Sequence, residues 1–466
     1  MKTRLSSLDV PTTLNRHAKL ANVRAARARP PRPVRTISRS FLNRSLNNAM
    51  PSVLHDSQLT REQRTIVELR PDRHHLVMGP PGSGKTQVLL HRARWLRETY
   101  KIPPEGFCVL VYTNVLTYFL RQSLDFLGIP KENVRTFDDW CAELWDQFVR
   151  KPKPRTLPDR RGKSFIDFAA VRTGVLQSLQ AIAASSASAG QPKPSLDFVL
   201  VDEGQDLDGT AYGILRLATK HLTVFADARQ QIFEGGASVL EMQKHLSLTG
   251  QSASLLPAYR NSPDIAKLAS YFGNAYDGLN YLAMERQKPC LYVANDWEDE
   301  MDKLADVLRE RRLLNHKCGI IVPTNLDLFG VAKKLAERGV DVHKAVAARR
   351  GGTPPDFDSL TPTIASYHNA KGLTFDCVLM PKLVENNFKR VEGERRHRLL
   401  LVGITRATQW VYLSTVRGWE LRDLDIFRQA ATKGDLFIKE NANAVPVSAT
   451  PTASLPGDDD NDASFL

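Results

Sequence analysis

The segment Gly79-Pro80-Pro81-Gly82-Ser83-Gly84-Lys85-Thr86 constrains this chain more than any other. It follows a short apolar run, LVMG at 76–79, and opens a helical stretch over 85–99. The pattern GxxxxGK[ST] between a strand and a helix reads as a phosphate-binding loop. Glycines let successive backbone N–H groups close around an anion at the positive end of a helix. In that reading Gly79, Pro80, Pro81, Gly82, Ser83 and Gly84 form the cradle. Lys85 reaches the β- and γ-phosphates, and Thr86 ligates Mg²⁺.

The apolar runs around this loop give the fold class. They fall at 76–79, 107–113, 134–137, 198–203 and 222–227, then at 290–294, 318–323, 362–367, 377–381 and 410–415. Helical stretches such as 298–313 and 326–338 separate them. Short continuous apolar runs alternating with helices predict buried parallel strands in α/β domains. We therefore expect two P-loop-type α/β domains, at 50–256 and 257–442. Residues 150–197 are Lys/Pro/Arg-rich and then Ala/Ser-rich, which predicts a small insertion, not a sheet layer. Trp140, Leu144 and Phe148 share one helical face after Asp138, read as the N-cap, and predict core packing.

Composition sets further limits. No run of about 18 apolar residues occurs, which argues against a transmembrane helix or a membrane role. Five cysteines are scattered singly, without CxxC or zinc spacing, so a disulfide or zinc scaffold is disfavoured and a reducing compartment fits. The formal net charge is +13, and eleven of the 64 Lys/Arg lie in the first 49 residues against one acid, Asp9. Residues 1–49 are predicted disordered. They read as a basic nucleic-acid arm, as an organelle transit peptide, or as a leader preceding a start at Met50. Residues 443–466 are predicted to be an acidic disordered tail.

A second chemical element is Phe198-Val199-Leu200-Val201-Asp202-Glu203. An apolar strand ends in paired acids downstream of the phosphate loop. Asp202 can complete the Mg²⁺ shell, and Glu203 can orient and deprotonate a water.

Further motifs follow in order: Leu59-Thr60-Arg61-Glu62-Gln63, Tyr112-Thr113-Asn114, Thr136-Phe137, Asp202-Glu203-Gly204-Gln205-Asp206, Asp227 to Phe233, Tyr259-Arg260, Ser366 to Phe375, and Val402 to Ala407. Over roughly 57–417 the ordered set resembles the UvrD/Rep (superfamily 1A) helicases. The resemblance implies two RecA-like domains with ATP in the cleft between them. It implies that Gln63 reads adenine, Tyr259 stacks on it, and Gln230 senses the γ-phosphate. Gly372 would approach the phosphates by its backbone, and Arg260 and Arg406 would act across the cleft on transition-state charge. It also implies a single strand gripped through Tyr112, Thr113, Asn114, Phe137 and His368. For Tyr112 and Phe137, core packing competes with that role.

The departures from the family pattern are specific. Glu234-Gly235-Gly236 stands where an aromatic stretch is expected, Thr374 replaces a Glu, and Ala226 replaces a Gly. The large second-domain insertion is absent. The reading is an ATP- and Mg²⁺-dependent DNA helicase or translocase of 3′ to 5′ polarity, acting on single-stranded DNA or tailed duplex in the cytoplasm, at the nucleoid. Organelle import goes with the transit-peptide reading of residues 1–49. Two alternatives stay open: a nucleic-acid-stimulated ATPase switch working with a protein partner, and an RNA-directed motor.

Overall fold

A computed structural model describes residues 56–121, 124–158, 162–189, 195–231, 235–248, 252–255, 261–273, 287–346, 359–389 and 391–440. The readings for residues 1–49 and 443–466, and for Tyr259 and Arg260, lie outside the described residues.

Two parallel sheets carry the chain. The first contains β1 (His75–Met78), β2 (Phe107–Val111), β3 (Val134–Thr136), β4 (Leu196–Val201), β5 (Thr219–Ala226) and β6 (Ala253–Ser254), ordered β3-β2-β4-β5-β1-β6. The second contains β7 (Cys290–Ala294), β8 (Cys318–Val322), β9 (His343–Lys344), β10 (Thr363–Ser366), β11 (Phe375–Met380), β12 (Ala407–Val416) and β13 (Phe437–Glu440), ordered β13-β7-β12-β11-β8-β10-β9. This is the α/β architecture of two RecA-like domains. Both faces of the first sheet are buried. Val199 and Val201 pack into one core with Leu76 and Leu110, while Phe198 and Leu200 pack into the other with Val77 and Val109. That two-sided burial is why the strands read as continuous apolar runs.

Eight of the ten predicted runs extend past the true strand ends. Strands β2, β3 and β4 stop at Val111, Thr136 and Val201. The residues beyond them turn out at the C-terminal edge, where ligands of open α/β sheets bind. Thr136 illustrates the cause. Its hydroxyl accepts from the Asp139 N–H at 3.1 Å, so it caps the Phe137–Leu144 helix. The cap assigned to Asp138 is therefore corrected by two residues.

Residues 150–197, read as a small insertion and not a sheet layer, nevertheless contribute to the core. The Phe168–Ala189 helix spans 22 residues and buries Val171, Val175 and Leu179 in the core beneath β4 and β5. Gly174 abuts the Trp145 ring, and Gly213 abuts Leu176, so small residues allow close helix packing. The Ala/Ser-rich end hides the i, i+4, i+8 stripe that carries the packing. Trp140 and Leu144 are buried as expected, with Phe148 packed beside them. All five cysteines are free and buried. Among the described residues no helix is long and apolar enough to cross a membrane.

Candidate active site

The phosphate loop closes on itself. Gly82 and Gly84 adopt positive φ, +78° and +84°, and Gly84 starts the Lys85–Tyr100 helix. A side chain at Gly84 would meet the Gln63 amide at 2.6 Å. The Lys85 ammonium donates to the Gly79 and Pro80 carbonyls at 2.9 and 3.1 Å and lies 4.0 Å from Asp227. The Ser83 hydroxyl is buried with no hydrogen-bond partner among the described residues. A buried orphan hydroxyl inside a ring of backbone N–H groups suits an oxyanion.

Thr86 donates to the Asp202 carboxylate at 2.7 Å. Two hard oxygens from different elements, meeting beside the phosphate loop, fit Mg²⁺. Burial, then the neighbouring Glu203, raises the Asp202 pKa. A bound cation acts on that carboxylate in the opposite direction.

Glu203 sits just past β4 in a left-handed conformation, φ 55°. Gly204 makes this turn possible, because a Cβ there would lie 2.1 Å from Val224. The turned carboxylate accepts from Gln205 Nε2 at 2.6 Å and lies 3.6 Å from Lys371 Nζ. Burial pushes the Glu203 pKa up, but the ammonium groups of Lys371 and Lys85 outweigh it and draw it well down. Glu203 is therefore a charged carboxylate. Gln205 Oε1 in turn accepts from the Asp227 N–H at 3.0 Å, so one amide ties the acidic turn to the end of β5.

The second domain enters this cluster directly. Arg406 is buried, donates to its own Val402 carbonyl at 3.0 Å, and reaches Gln230 Oε1 at 3.1 Å. Lys371 is wholly buried, pairs with Asp206, and donates to the Gln230 carbonyl at 3.0 Å. Burial pulls the Lys371 pKa down, but Asp206 and Glu203 more than offset it and hold it above the ordinary value. Asn261 donates to the Thr405 and Ala407 carbonyls at 3.0 and 2.6 Å, anchoring its segment on both sides of Arg406.

The other predicted site residues divide. Gln63 spends its amide inside the protein: Oε1 accepts from the Thr60 N–H at 3.0 Å, and Nε2 donates to the Ser83 carbonyl at 3.1 Å. It braces the phosphate loop. Gly372, read as approaching the phosphates by its backbone, has its Cβ side against Leu116, where a Cβ would lie 2.5 Å away. Thr113 caps the Asn114–Arg121 helix, accepting from the Leu116 N–H at 3.0 Å, and Asn114 is exposed. Phe137 is a core residue. It packs 6.0 Å from the Trp140 ring, with the Arg172 guanidinium 5.8 Å from its centroid. Tyr112 is half-buried, with Lys371 Nζ 5.4 Å from its ring centre. Burial, then Arg395 and Lys371, lowers the His368 pKa to about 4, so its ring is neutral at physiological pH.

Sequence reasoning assigned no role to Lys371, Gln205 or Asp206, although all three lie inside quoted motifs. Gln205 and Asp206 had a usable signal, being one turn beyond paired acids. Lys371 had none, since nothing local marks a lysine between Ala370 and Gly372 as buried.

Residues 63–236 match an AAA domain family, and residues 363–414 match the UvrD-like helicase C-terminal domain. No curated protein matches the chain. Among solved structures, the C-terminal domain of a possible DNA helicase from Lactobacillus plantarum WCFS1 is similar at 19% identity. That match covers 39% of this chain and 99% of the other, with a TM-score of 0.31.

Proposed function

We propose that this chain, which belongs to the UvrD-like helicase family and hydrolyses ATP, is a motor that moves 3′ to 5′ along single-stranded DNA. The observation that carries the reading is the meeting of two sets of groups. Lys85, Thr86, Asp202 and Glu203 come from the first sheet, and Arg406 reaches Gln230 from the second. Lys85 binds the β- and γ-phosphates, and Tyr259 stacks on adenine. Thr86 and Asp202 hold Mg²⁺, which when bound neutralises phosphate charge. Glu203 orients the attacking water and takes its proton. Arg406 and Arg260 stabilise the charge of the transition state only when the domains close, so hydrolysis and domain motion are coupled. Tyr112, Asn114 and His368 line the strand-binding side.

A second reading, an ATPase switch working with a protein partner, is favoured by one observation. A Cβ on Gly236 would lie 2.3 Å from the Gln205 carbonyl. The glycine that stands in the expected aromatic stretch is thus required for close backbone approach to the acidic turn. A lost stacking platform removes roughly 1–3 kcal/mol of grip per base. Opening a base-pair step costs about 1.4 kcal/mol. Slippage then competes with strand separation.

The test is ATP turnover with single-stranded DNA, duplex, tailed duplex and RNA, followed by single-turnover strand separation at increasing duplex length. We expect strong stimulation by single-stranded DNA and poor separation of long duplexes by the isolated chain. Lys85→Ala should abolish turnover, and Glu203→Gln should retain ATP binding without turnover. Stimulation by RNA alone would sink the DNA reading. Efficient monomeric separation of many tens of base pairs would sink the slippage argument.

A further inference from the structure

Lys371 belongs to the second domain, yet among the described residues its ammonium contacts only the first. It pairs with Asp206, donates to the Gln230 carbonyl at 3.0 Å, lies 3.6 Å from Glu203, and sits 5.4 Å from the centre of the Tyr112 ring. The next residue, Gly372, has φ +82° and rests on Leu116, in the helix that follows Tyr112. One two-residue loop therefore touches the acidic turn, the end of β5 and the strand-binding side together.

The energetics make this contact conditional. A fully desolvated ammonium is tolerable only while its counter-charges stay in place. Those counter-charges include Glu203, the carboxylate that must act on water. While the pair is closed, the carboxylate is oriented toward Lys371 and its charge is offset by the ammonium. The Tyr112 ring forms another wall of the same ammonium site, and it is half-buried, so a ligand on that side can shift it. Displacing the ring removes a favourable cation–π contact and moves the helix under Gly372.

We propose that Lys371 is a positioning residue that carries nucleic-acid occupancy on the Tyr112 side to Glu203, holding that carboxylate in an ion pair until nucleic acid releases it. The inference rests on the nucleic-acid reading above and specifies its coupling. Nucleic acid must bind the released state better than the paired state, and a tenfold stimulation requires about 1.4 kcal/mol of that preference.

The experiment measures kcat and KM for ATP with and without single-stranded DNA, in the full chain and in Lys371→Met, Lys371→Arg and Asp206→Asn. Lys371→Met should raise kcat without DNA by about tenfold and bring the stimulation ratio toward one, with KM nearly unchanged. Lys371→Arg should restore the ratio, because it keeps the charge. Asp206→Asn loosens the same contact from the other side. It should raise the DNA-free rate as well, which keeps the test decisive if Lys371→Met fails to fold. Tyr112→Leu should lower the stimulation ratio, and Tyr112→Phe should not. A fall in kcat for Lys371→Met and Asp206→Asn with the stimulation ratio intact would overturn the proposal. If the unaltered chain is not stimulated by DNA at all, the nucleic-acid reading fails, and the ion-pair restraint is then judged on the DNA-free rate alone.

Discussion

Among the described residues two cations are buried completely, Arg92 and Lys371, and they are satisfied in opposite ways. Arg92 lies on the Lys85–Tyr100 helix and finds every described partner in its own domain. It donates to the carbonyls of Ile66, Val67 and Leu69 at 3.3, 3.0 and 2.7 Å, to Thr223 at 3.0 Å, and meets His221 Nε2 at 3.0 Å. These are neutral dipoles, three of them at the negative end of the Arg61–Val67 helix. Lys371 is held instead by Asp206 and Glu203, which belong to the other domain. Dipoles in one rigid unit cannot leave, so Arg92 fixes shape, locking the helix of Gln63 to the helix of the phosphate loop. Carboxylates across a cleft can separate, so Lys371 marks a contact whose strength changes with domain position.

The largest effect expected from this contrast belongs to another group that crosses the cleft. Arg406→Ala should lower kcat by roughly 10³-fold, the scale of an arginine finger, while ATP binding changes little. Equilibrium binding of a nucleotide analogue beside steady-state kinetics separates the two. A loss confined to KM would remove Arg406 from the transition state and weaken the idea that cross-cleft cations serve function.

Arg92→Met should act on stability alone. It strands the carbonyls of Val67 and Leu69, while that of Ile66 keeps the Leu69 N–H, and each buried unsatisfied group costs roughly 1–3 kcal/mol. Partial solvation of these chain ends reduces the sum, so a loss of about 3 kcal/mol is expected from denaturant unfolding. Turnover well below the melting temperature should match the unaltered chain. If turnover falls while the unfolding midpoint holds, the separation of a shape-fixing cation from a switching one is wrong.

The contrast also marks where the sequence was informative. The phosphate loop, Thr86 and Asp202 were legible because their chemistry needs fixed spacing along one strand–loop–helix unit. The Thr86–Asp202 contact spans 116 residues, yet both ends carry local signatures. Arg92 and Lys371 do not. Arg92 meets Thr223 across 131 residues, and Lys371 meets Asp206 across 165. Nothing next to either residue encodes the partner. The Phe168–Ala189 helix was obscured for a different reason. Its Ala/Ser-rich half carries little apolar contrast, and its packing depends on Gly174 and Gly213 admitting Trp145 and Leu176. Phe137 fell between two readings because an aromatic after a strand suits both stacking and core. The Arg172 guanidinium and Trp140, which enclose it, are what decide for the core.

The smallest effect tests whether the Arg92 site is as permanent as its dipoles suggest. His221 Nε2 faces the guanidinium at 3.0 Å and must accept from it, so the ring is neutral in the native state. Burial first, then repulsion from Arg92, lowers its pKa from 6.5 to about 3. The sign follows from linkage. Between about pH 3 and 6.5 the unfolded chain carries a proton on this ring that the native state refuses, so stability is complete above 6.5 and is lost as pH falls. One such proton gives a slope of about 1.4 kcal/mol per pH unit. His74 and His75 are shifted in the same direction, chiefly by burial, and add to it. Urea unfolding at pH 7, 6 and 5 should show the decline, and His221→Gln, which keeps an acceptor without a titrating ring, should flatten it. An equal slope in both proteins would mean that the ring does not stay neutral beside Arg92, and that the site yields to protonation before the domain unfolds.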